Sequence, residues 1–186
     1  EDSITYEEFY DRICALAARL IERGITKGDR VAILAENSHY WGLAYLAVVR
    51  LGGVGVPILP DLPEADVHHI IGEMEPKVVF TTQRQIDKIY DLRGAAPELV
   101  LTLDDYRSAE GLLQAEPFST FLDAALADYR EKTVTGGGVD FPEVAEEDLA
   151  SILYTSGTSG FSKAVMLTHK NLTSNAYAAS TLMTIG

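Results

Sequence analysis

The chain has 186 residues, of which 47% are apolar, and a formal net charge of −13. This length is enough for one large domain that buries most of its apolar surface, whereas the acidic balance and 15 scattered lysines and arginines argue against nucleic-acid binding. The longest strongly apolar run, residues 43–49, is far shorter than the ~20 residues of a membrane-spanning helix.

The two ends indicate an excerpt of a longer protein, and the single cysteine bears on the cellular compartment. The sequence begins with Glu1 instead of methionine and stops at Gly186 just after a helix-like segment, so we expect an excerpt of a longer protein. The lone Cys14 cannot form an internal disulfide, and the acidic N-terminus does not resemble a signal peptide, which together fit a cytoplasmic protein. Cys14 lies on the apolar face of a predicted helix, which favours core packing.

Helices and strands alternate along the first hundred residues. Thr5 and Glu8 have the spacing of a capping box, and the apolar residues that follow recur at helical spacing up to Gly24. A continuous apolar strand over residues 30–34 precedes a helix over 39–51, for which Asn37 or Ser38 is the N-cap. The pattern then predicts a strand over 54–56 that stops at Pro57, a helix over 64–75 with Pro63 at its start, a strand over 77–81, a weaker helix over 83–91 and a strand over 99–102.

This alternation predicts an α/β fold, with a parallel sheet flanked by helices on both faces in a three-layer, Rossmann-like topology. Residues 1–131 form this alternating part, although 103–117 carry little pattern and Ser119 is predicted to cap a helix through Tyr129. An acidic, glycine-containing linker is predicted over 132–148. Beyond it, within 149–186, we expect a strand over 149–154, a loop, a strand over 164–168 and a helix over 171–183.

The loop that joins the last two strands combines hydroxyl side chains, glycines and one lysine. Such a loop suits a polyanion, since glycines let the backbone approach, exposed N–H groups form an anion concavity and lysine supplies a positive charge. Composition alone leaves a second reading open, a polar hairpin loop that binds nothing. The candidate phosphate-binding residues are Thr155, Ser156, Gly157, Thr158, Ser159, Gly160 and Lys163.

Three other motifs fail on spacing or order. A nucleoside-triphosphatase P-loop requires Gly-Lys followed by Ser or Thr at the start of a helix, but here Gly160 precedes Lys163 by three positions and a strand follows. A nucleophile elbow requires Gly-x-Ser-x-Gly, and the stretch from Gly157 to Gly160 is one residue short. The glycines at 53 and 55 follow a helix and precede a strand, the reverse of a dinucleotide-binding loop.

The run from Tyr154 to His169, YTSGTSGFSKAVMLTH, resembles the phosphate-loop motif of the AMP-forming adenylating enzymes, which include acyl-CoA synthetases, luciferases and nonribosomal peptide adenylation domains. The family pattern reads Tyr-Thr-Ser-Gly-Thr-Thr-Gly-x-Pro-Lys-Gly-Val, followed by Thr-His and then Asn. Upstream segments, such as residues 28–33 and 53–57, share the resemblance, which covers nearly everything outside 103–145. It implies the N-terminal part of the large adenylating domain.

This chain departs from the family pattern at three positions. Ser159 replaces threonine and keeps the hydroxyl group, whereas Ser162 replaces proline and leaves the loop less rigid. Ala164 replaces glycine, which is harmless if its φ angle is negative.

The resemblance implies a two-step ligase that uses ATP, Mg²⁺ and coenzyme A. A carboxylate attacks the α-phosphate of ATP, pyrophosphate leaves, and the thiol of coenzyme A captures the acyl-adenylate. The loop residues and Lys163 would hold the β- and γ-phosphates, with Thr155 as a ligand to magnesium, while the catalytic residues would follow later in the full-length chain. A long-chain fatty acid is the expected substrate; the alternatives are an amino-acid or aryl-acid adenylating domain, or a non-catalytic nucleotide-binding module. We expect this stretch alone to be inactive and to self-associate.

Other residues of chemical interest are predicted to have structural roles. His169 stands where a helix should start, so that capping or exposure is favoured over catalysis. His68 and His69 lack a third ligand at matching spacing for a metal. Tyr40, Trp41 and Tyr45 share a helix with apolar residues, which favours core packing over an acyl-binding wall.

Overall fold

The computed structural model describes residues 3–92, 96–107, 114–155 and 163–182. The strands found there are β1 (Arg30–Leu34), β2 (Val54–Ile58), β3 (Val78–Thr81), β4 (Leu99–Thr102), β5 (Glu116–Pro117), β6 (Leu149–Thr155) and β7 (Lys163–Thr168). They form one sheet in the order β5-β4-β3-β1-β2-β6-β7. All neighbouring strands in it are parallel except β6 and β7, which form an antiparallel pair.

Helices cover both faces of this sheet. They are α1 (Tyr6–Glu22), α2 (His39–Arg50), α3 (Glu64–Met74), α4 (Phe118–Val134) and α5 (His169–Leu182), with a 3₁₀ turn at Ile86–Ile89. One apolar cluster joins α1, α2 and α4 to one face of the sheet, through side chains such as Val31 and Phe80. The other joins α3 and the 3₁₀ turn to the opposite face, through Ala32 and Val79. The predicted three-layer α/β fold is therefore confirmed.

The helix starts follow the capping residues of the sequence. Thr5 accepts a hydrogen bond from the backbone N–H of Glu8, and the Glu8 carboxylate accepts one from the Thr5 N–H in return. Of the two candidates for the next helix, Ser38 is the N-cap, since its hydroxyl accepts from the N–H of Trp41. None of the described helices is long and apolar enough to cross a membrane.

Strand β2 continues through Pro57 to Ile58, so the prediction that Pro57 stops it was wrong. On one side β2 pairs with β1 up to Leu34 and Ile58, while on the other its parallel pairing with β6 joins Gly55 to Ser151, two residues before the proline. Proline has no N–H to donate, so it fits a strand position that is not paired on both sides. Pro57 is paired on the β1 side and lies beyond the register with β6.

Gly55 has a packing role. A Cβ atom at this position would lie 2.9 Å from the ring of Tyr45, so the tyrosine can rest on the strand only because residue 55 is glycine. The Tyr45 ring also stacks on Trp41, with centroids 5.4 Å apart. Tyr40, Trp41 and Tyr45 are partly buried against the core, and Cys14 is 2% exposed within it, as predicted for core packing.

Two predicted helices differ from the structure. The segment predicted as a weak helix over 83–91 contains a single 3₁₀ turn, in which Ile86 and Ile89 are buried at the i, i+3 spacing that such a turn places on one side. Helix α4 starts at Phe118 and runs to Val134, and Ser119 lies inside it. The cap comes instead from Asp105, whose carboxylate accepts a hydrogen bond from the Ser119 N–H at 2.7 Å.

The stretch predicted as a linker is only partly solvated. Its first residues belong to α4, and Thr135–Gly138 are exposed. The following residues are fixed to the body: the Arg50 guanidinium lies 3.9 Å from the Phe141 ring centroid, and Lys27 forms an ion pair with Asp148 at 2.6 Å. The chain therefore enters β6 from a fixed position.

Candidate functional site

Strand β6 ends with Thr155 at the carboxyl edge of the parallel sheet. Because β6 runs parallel to β2, and β2 to β1, the segments that follow these strands emerge at the same edge. This edge is where open α/β sheets bind their ligands. β7 then returns antiparallel to β6, so the two strands predicted on either side of the loop pair with each other.

Thr155 and Lys163 close the base of this hairpin. They are partners in the β6–β7 register, and the Thr155 hydroxyl donates a hydrogen bond to the Lys163 carbonyl oxygen at 3.4 Å. Both residues are exposed, so the lysine ammonium group and the threonine oxygen are accessible at this edge. The other predicted phosphate-binding residues, Ser156, Gly157, Thr158, Ser159 and Gly160, lie outside the described residues.

Ala164, which stands where the family pattern has glycine, does not require a glycine backbone. The described non-glycine residues with positive φ are Glu75 and Asp105, and Ala164 is not among them. It lies opposite Tyr154 in the regular β6–β7 register. The alanine is thus accommodated without the left-handed strain that a side chain at positive φ would bring.

Tyr154, the residue before Thr155, faces away from solvent. It is 8% exposed and packs in the cluster beneath α3. Its hydroxyl donates a hydrogen bond to Glu73 Oε2 on α3 at 2.7 Å. Burial, followed by the hydrogen bond and charge of Glu73, raises the pKa of Tyr154 well above its usual value, so the phenol stays a neutral donor.

A second polar group lies at the same edge, where the segments after β1 and β3 meet. Glu36 accepts hydrogen bonds from the hydroxyl of Thr82 and the side-chain amide of Gln85, each at 2.8 Å. Burial works against ionisation of Glu36, but these hydrogen bonds and one from its own backbone outweigh it and hold the pKa of the carboxyl below its usual range. This contact bridges two loops that leave toward opposite faces of the sheet.

Neither Glu73 nor Glu36 was identified as a site residue from the sequence. Each is a single carboxylate: the partner of Glu73 lies 81 positions away in the chain, and those of Glu36 lie 46 and 49 positions away. No local spacing signals such a pair. The described residues also contain no group of three His, Cys, Asp or Glu side chains that could hold a metal ion.

His169 begins α5, close to where the sequence predicts a helix start. Its backbone N–H donates to the Asp148 carbonyl oxygen at 3.0 Å, while Thr168 and Asn171 exchange hydrogen bonds that cap the helix. Burial lowers the pKa of the imidazole; nearby Asp148 opposes this effect and Lys27 adds to it. The capping residue is thus Thr168, and His169 is partly buried, so the prediction that His169 caps the helix or is exposed was wrong.

Known proteins resemble this chain over nearly its whole length. It is 31% identical over 173 residues to tyrocidine synthase 3 of Brevibacillus parabrevis, covering 92% of this chain and 2% of that protein. It is 30% identical over 188 residues to the medium-chain fatty-acid–CoA ligase of Escherichia coli K12, covering 95% of this chain and 31% of the ligase. The chain therefore spans less than a third of either relative.

A solved structure agrees with these sequence matches. The crystal structure of ATP-bound MatB from Rhodopseudomonas palustris superposes with a TM-score of 0.71 at 33% identity, over 95% of this chain and 32% of that one. A family model described as AMP-binding enzyme matches residues 1–185. The resemblance inferred from the motif is confirmed, and this α/β domain belongs to the AMP-binding enzyme family.

Proposed function

We propose that the complete protein activates a fatty acid with ATP, through acyl-AMP to acyl-CoA, with release of pyrophosphate. The observation that carries this proposal is the family motif on a hairpin at the carboxyl edge of the sheet, with Thr155 and Lys163 paired at its base. In the first step, an oxygen of the carboxylate bonds to the α-phosphorus as the bond to the β-phosphate bridging oxygen breaks. In the second, the coenzyme A thiol displaces AMP and loses its proton.

The hairpin would bind the outer phosphates during the first step. Residues Thr155, Ser156, Gly157, Thr158, Ser159 and Gly160 offer hydroxyl and amide donors to the β- and γ-phosphates. Lys163, exposed at the start of β7, supplies a positive charge toward the departing pyrophosphate. The protein's contribution is therefore to position the triphosphate and stabilise charge on its leaving group.

Magnesium would be held largely by the phosphates, with Thr155 as the protein ligand. The Thr155 hydroxyl donates its hydrogen bond to the Lys163 carbonyl oxygen, so the lone pairs of the hydroxyl oxygen remain available to a metal ion. An exposed neutral oxygen of this kind suits Mg²⁺, which prefers oxygen ligands and retains waters. When bound, the ion would neutralise phosphate charge.

A fatty acid, of long chain, is our first choice of substrate. Residues 50–82 and 165–169 resemble long-chain ligases, and the E. coli relative is a medium-chain fatty-acid ligase by name. Tyrocidine synthase 3 is about as similar to this chain as the E. coli ligase is, so an amino-acid or aryl-acid adenylating domain is the alternative. A nucleotide-binding module without catalysis is the alternative from another class. We place the protein in the cytoplasm.

The deciding experiment is ATP–pyrophosphate exchange by the full-length protein with a panel of carboxylic acids. Exchange that depends on a fatty acid supports the proposal, whereas exchange driven only by an amino acid or an aryl acid selects the alternative. A protein that binds ATP and exchanges nothing with any acid is a binding module. The 186 residues alone should exchange nothing.

Lys163→Ala in the full-length protein should slow exchange at least tenfold, because the charge next to the leaving pyrophosphate is lost. Lys170→Ala is the matched control: this lysine is also exposed but pairs with Glu146 and Glu147 away from the hairpin base, and its loss should leave exchange unchanged. Full exchange by Lys163→Ala would remove the lysine from the mechanism.

A further inference from the structure

The backbone register between β6 and β2 lies well before the end of β6 that leads into the hairpin loop. The parallel pairing of β6 with β2 joins Ser151 to Gly55, where the Ser151 hydroxyl also donates to the Gly55 carbonyl at 3.0 Å. Thr155 lies four residues further along, roughly 13 Å at the rise of an extended strand. On its other side β6 pairs with β7, of which Lys163–Met166 are exposed. On the β2 side, the strand end therefore depends on side-chain contacts with the body of the domain.

Tyr154 joins this end to the body of the domain, both through its ring and through a hydrogen bond to Glu73. The tyrosine ring is anchored in the apolar cluster under α3, and the phenol extends to the carboxylate at 2.7 Å. Since Tyr154 immediately precedes Thr155, this bond restrains the place where the chain leaves the sheet. It also joins the hairpin to α3, the helix that follows β2.

We propose that Tyr154, through Glu73, is a positioning residue for the phosphate-binding hairpin. Its role is to fix Thr155, and through the Thr155–Lys163 pair the lysine, in the orientation that binds ATP. The inference rests on the proposed function for what the hairpin binds. The restraint itself is a property of the fold and can be measured separately.

The chemistry of the pair matches this role. The phenol is a neutral donor and the carboxylate an acceptor, and such charge-assisted bonds are short and directional. Glu73 Oε2 also lies 3.8 Å from His69 Nε2, one turn earlier on α3. Replacing Glu73 with glutamine keeps an acceptor oxygen, whereas alanine removes it.

The test compares four variants of the full-length protein in ATP–pyrophosphate exchange: Tyr154→Phe, Glu73→Ala, Glu73→Gln and the double variant Tyr154→Phe/Glu73→Ala. Tyr154→Phe and Glu73→Ala should each raise the KM for ATP about tenfold with kcat within about threefold. Glu73→Gln should stay within about twofold of the wild type. The double variant should match the single ones, because both remove the same bond.

Tyr177→Phe is the control, since it removes a phenol that is 74% exposed on α5 and should change nothing. An unchanged KM in Tyr154→Phe would overturn the proposal. So would a glutamine variant as impaired as alanine, or single effects that multiply in the double variant.

Hydrogen exchange separates this inference from the proposed function. In the nucleotide-free protein, the amides of Leu153, Thr155 and Lys163 should exchange at least fivefold faster in Tyr154→Phe and Glu73→Ala than in the wild type, Glu73→Gln or Tyr177→Phe. If no acid supports pyrophosphate exchange, the proposed function fails while these rates still decide the restraint. Unchanged rates would overturn the positioning role whatever the enzyme activity.

Discussion

The imidazole of His169 lies near Asp148 and Lys27, at the start of α5. Among the described residues its Nε2 atom is buried without a hydrogen-bond partner. Burial lowers the pKa, Asp148 works against that shift and Lys27 reinforces it. The folded protein therefore holds this histidine in its neutral form over a range in which the unfolded chain already takes up a proton.

Acidification through pH ~6.5, the ordinary histidine pKa, should therefore destabilise the fold through this residue. As the pH falls, the unfolded chain binds the proton first. The contribution of the neutral imidazole to the free energy of unfolding is therefore complete above pH ~6.5 and is lost as the pH drops toward the lower folded pKa. Urea unfolding at pH 7.5 and 5.5 measures it. The wild type should lose more free energy of unfolding between these pH values than His169→Gln.

His39→Gln serves as the control for this prediction, because His39 is exposed on α2 and should keep the wild-type difference. If His169→Gln shows the same pH dependence as the wild type, the buried imidazole does not contribute to it.

The site residues divide into those that a local pattern reveals and those that only the fold assembles. Thr155 and Lys163 belong to one contiguous motif, so their proximity could be predicted from a strand–loop–strand reading. Glu73 could not, because the hydrogen bond to Tyr154 depends on α3 crossing over the sheet beside β6. The pKa of His169 likewise depends, besides burial, on Asp148 and Lys27, which come from separate segments.

The end of α3 contains an unfavourable backbone conformation. Glu75 follows the helix with φ 43° and ψ 57°, the left-handed region, and its N–H donates to the Ile71 carbonyl oxygen at 2.8 Å. Helices usually place glycine here, because a Cβ atom in this conformation costs about 1–2 kcal/mol. Pro76 follows and prevents the helix from continuing.

Glu75→Gly should therefore stabilise the fold by about 0.5–1 kcal/mol, the relief of this strain less the greater backbone entropy of glycine in the unfolded chain. Denaturant unfolding provides the measurement. Glu75→Ala is the matched control, since alanine removes the same side chain but keeps the Cβ atom, and it should bring no such gain. A destabilised glycine variant would show that the glutamate side chain, not the backbone, dominates at this position.

Regular elements could be predicted where the signal was local. The capping box of α1, the serine before α2 and the apolar run of β1 each carry their own start or periodicity. The start of α4 could not be predicted, because its cap is Asp105, fourteen residues before Ser119. Nor could β5, a two-residue strand that exists only because it pairs with β4.

The β7 end of the sheet carries the exposed apolar surface of the last elements. Met166 is 69% exposed on β7, Tyr177 and Leu182 are 74% and 86% exposed on α5, and none of the described α5 residues is buried. β7 is the last strand in the sheet order, so its backbone N–H and C=O groups that face away from β6 are those of an edge strand, which can pair with another chain. Apolar side chains beside such an edge favour association.

The 186-residue chain should therefore self-associate at high concentration through this end of the sheet. Sedimentation velocity over a concentration series should show species larger than the monomer, and Met166→Lys should shift them back toward monomer. Val134→Lys, at the far end of α4, exchanges an apolar residue that is 87% exposed and should leave association unchanged. A monomer at every concentration would contradict the prediction.

The anchored stretch between α4 and β6 has a practical consequence. Residues before Thr135 belong to a helix, and those from Phe141 onward are fastened by Arg50 and Lys27, so the exposed glycines Gly136–Gly138 lie between two secured ends. Lengthening a flexible connection adds little closure entropy, about 0.6 kcal/mol for each doubling. A reporter peptide inserted at these glycines should therefore leave the fold undisturbed.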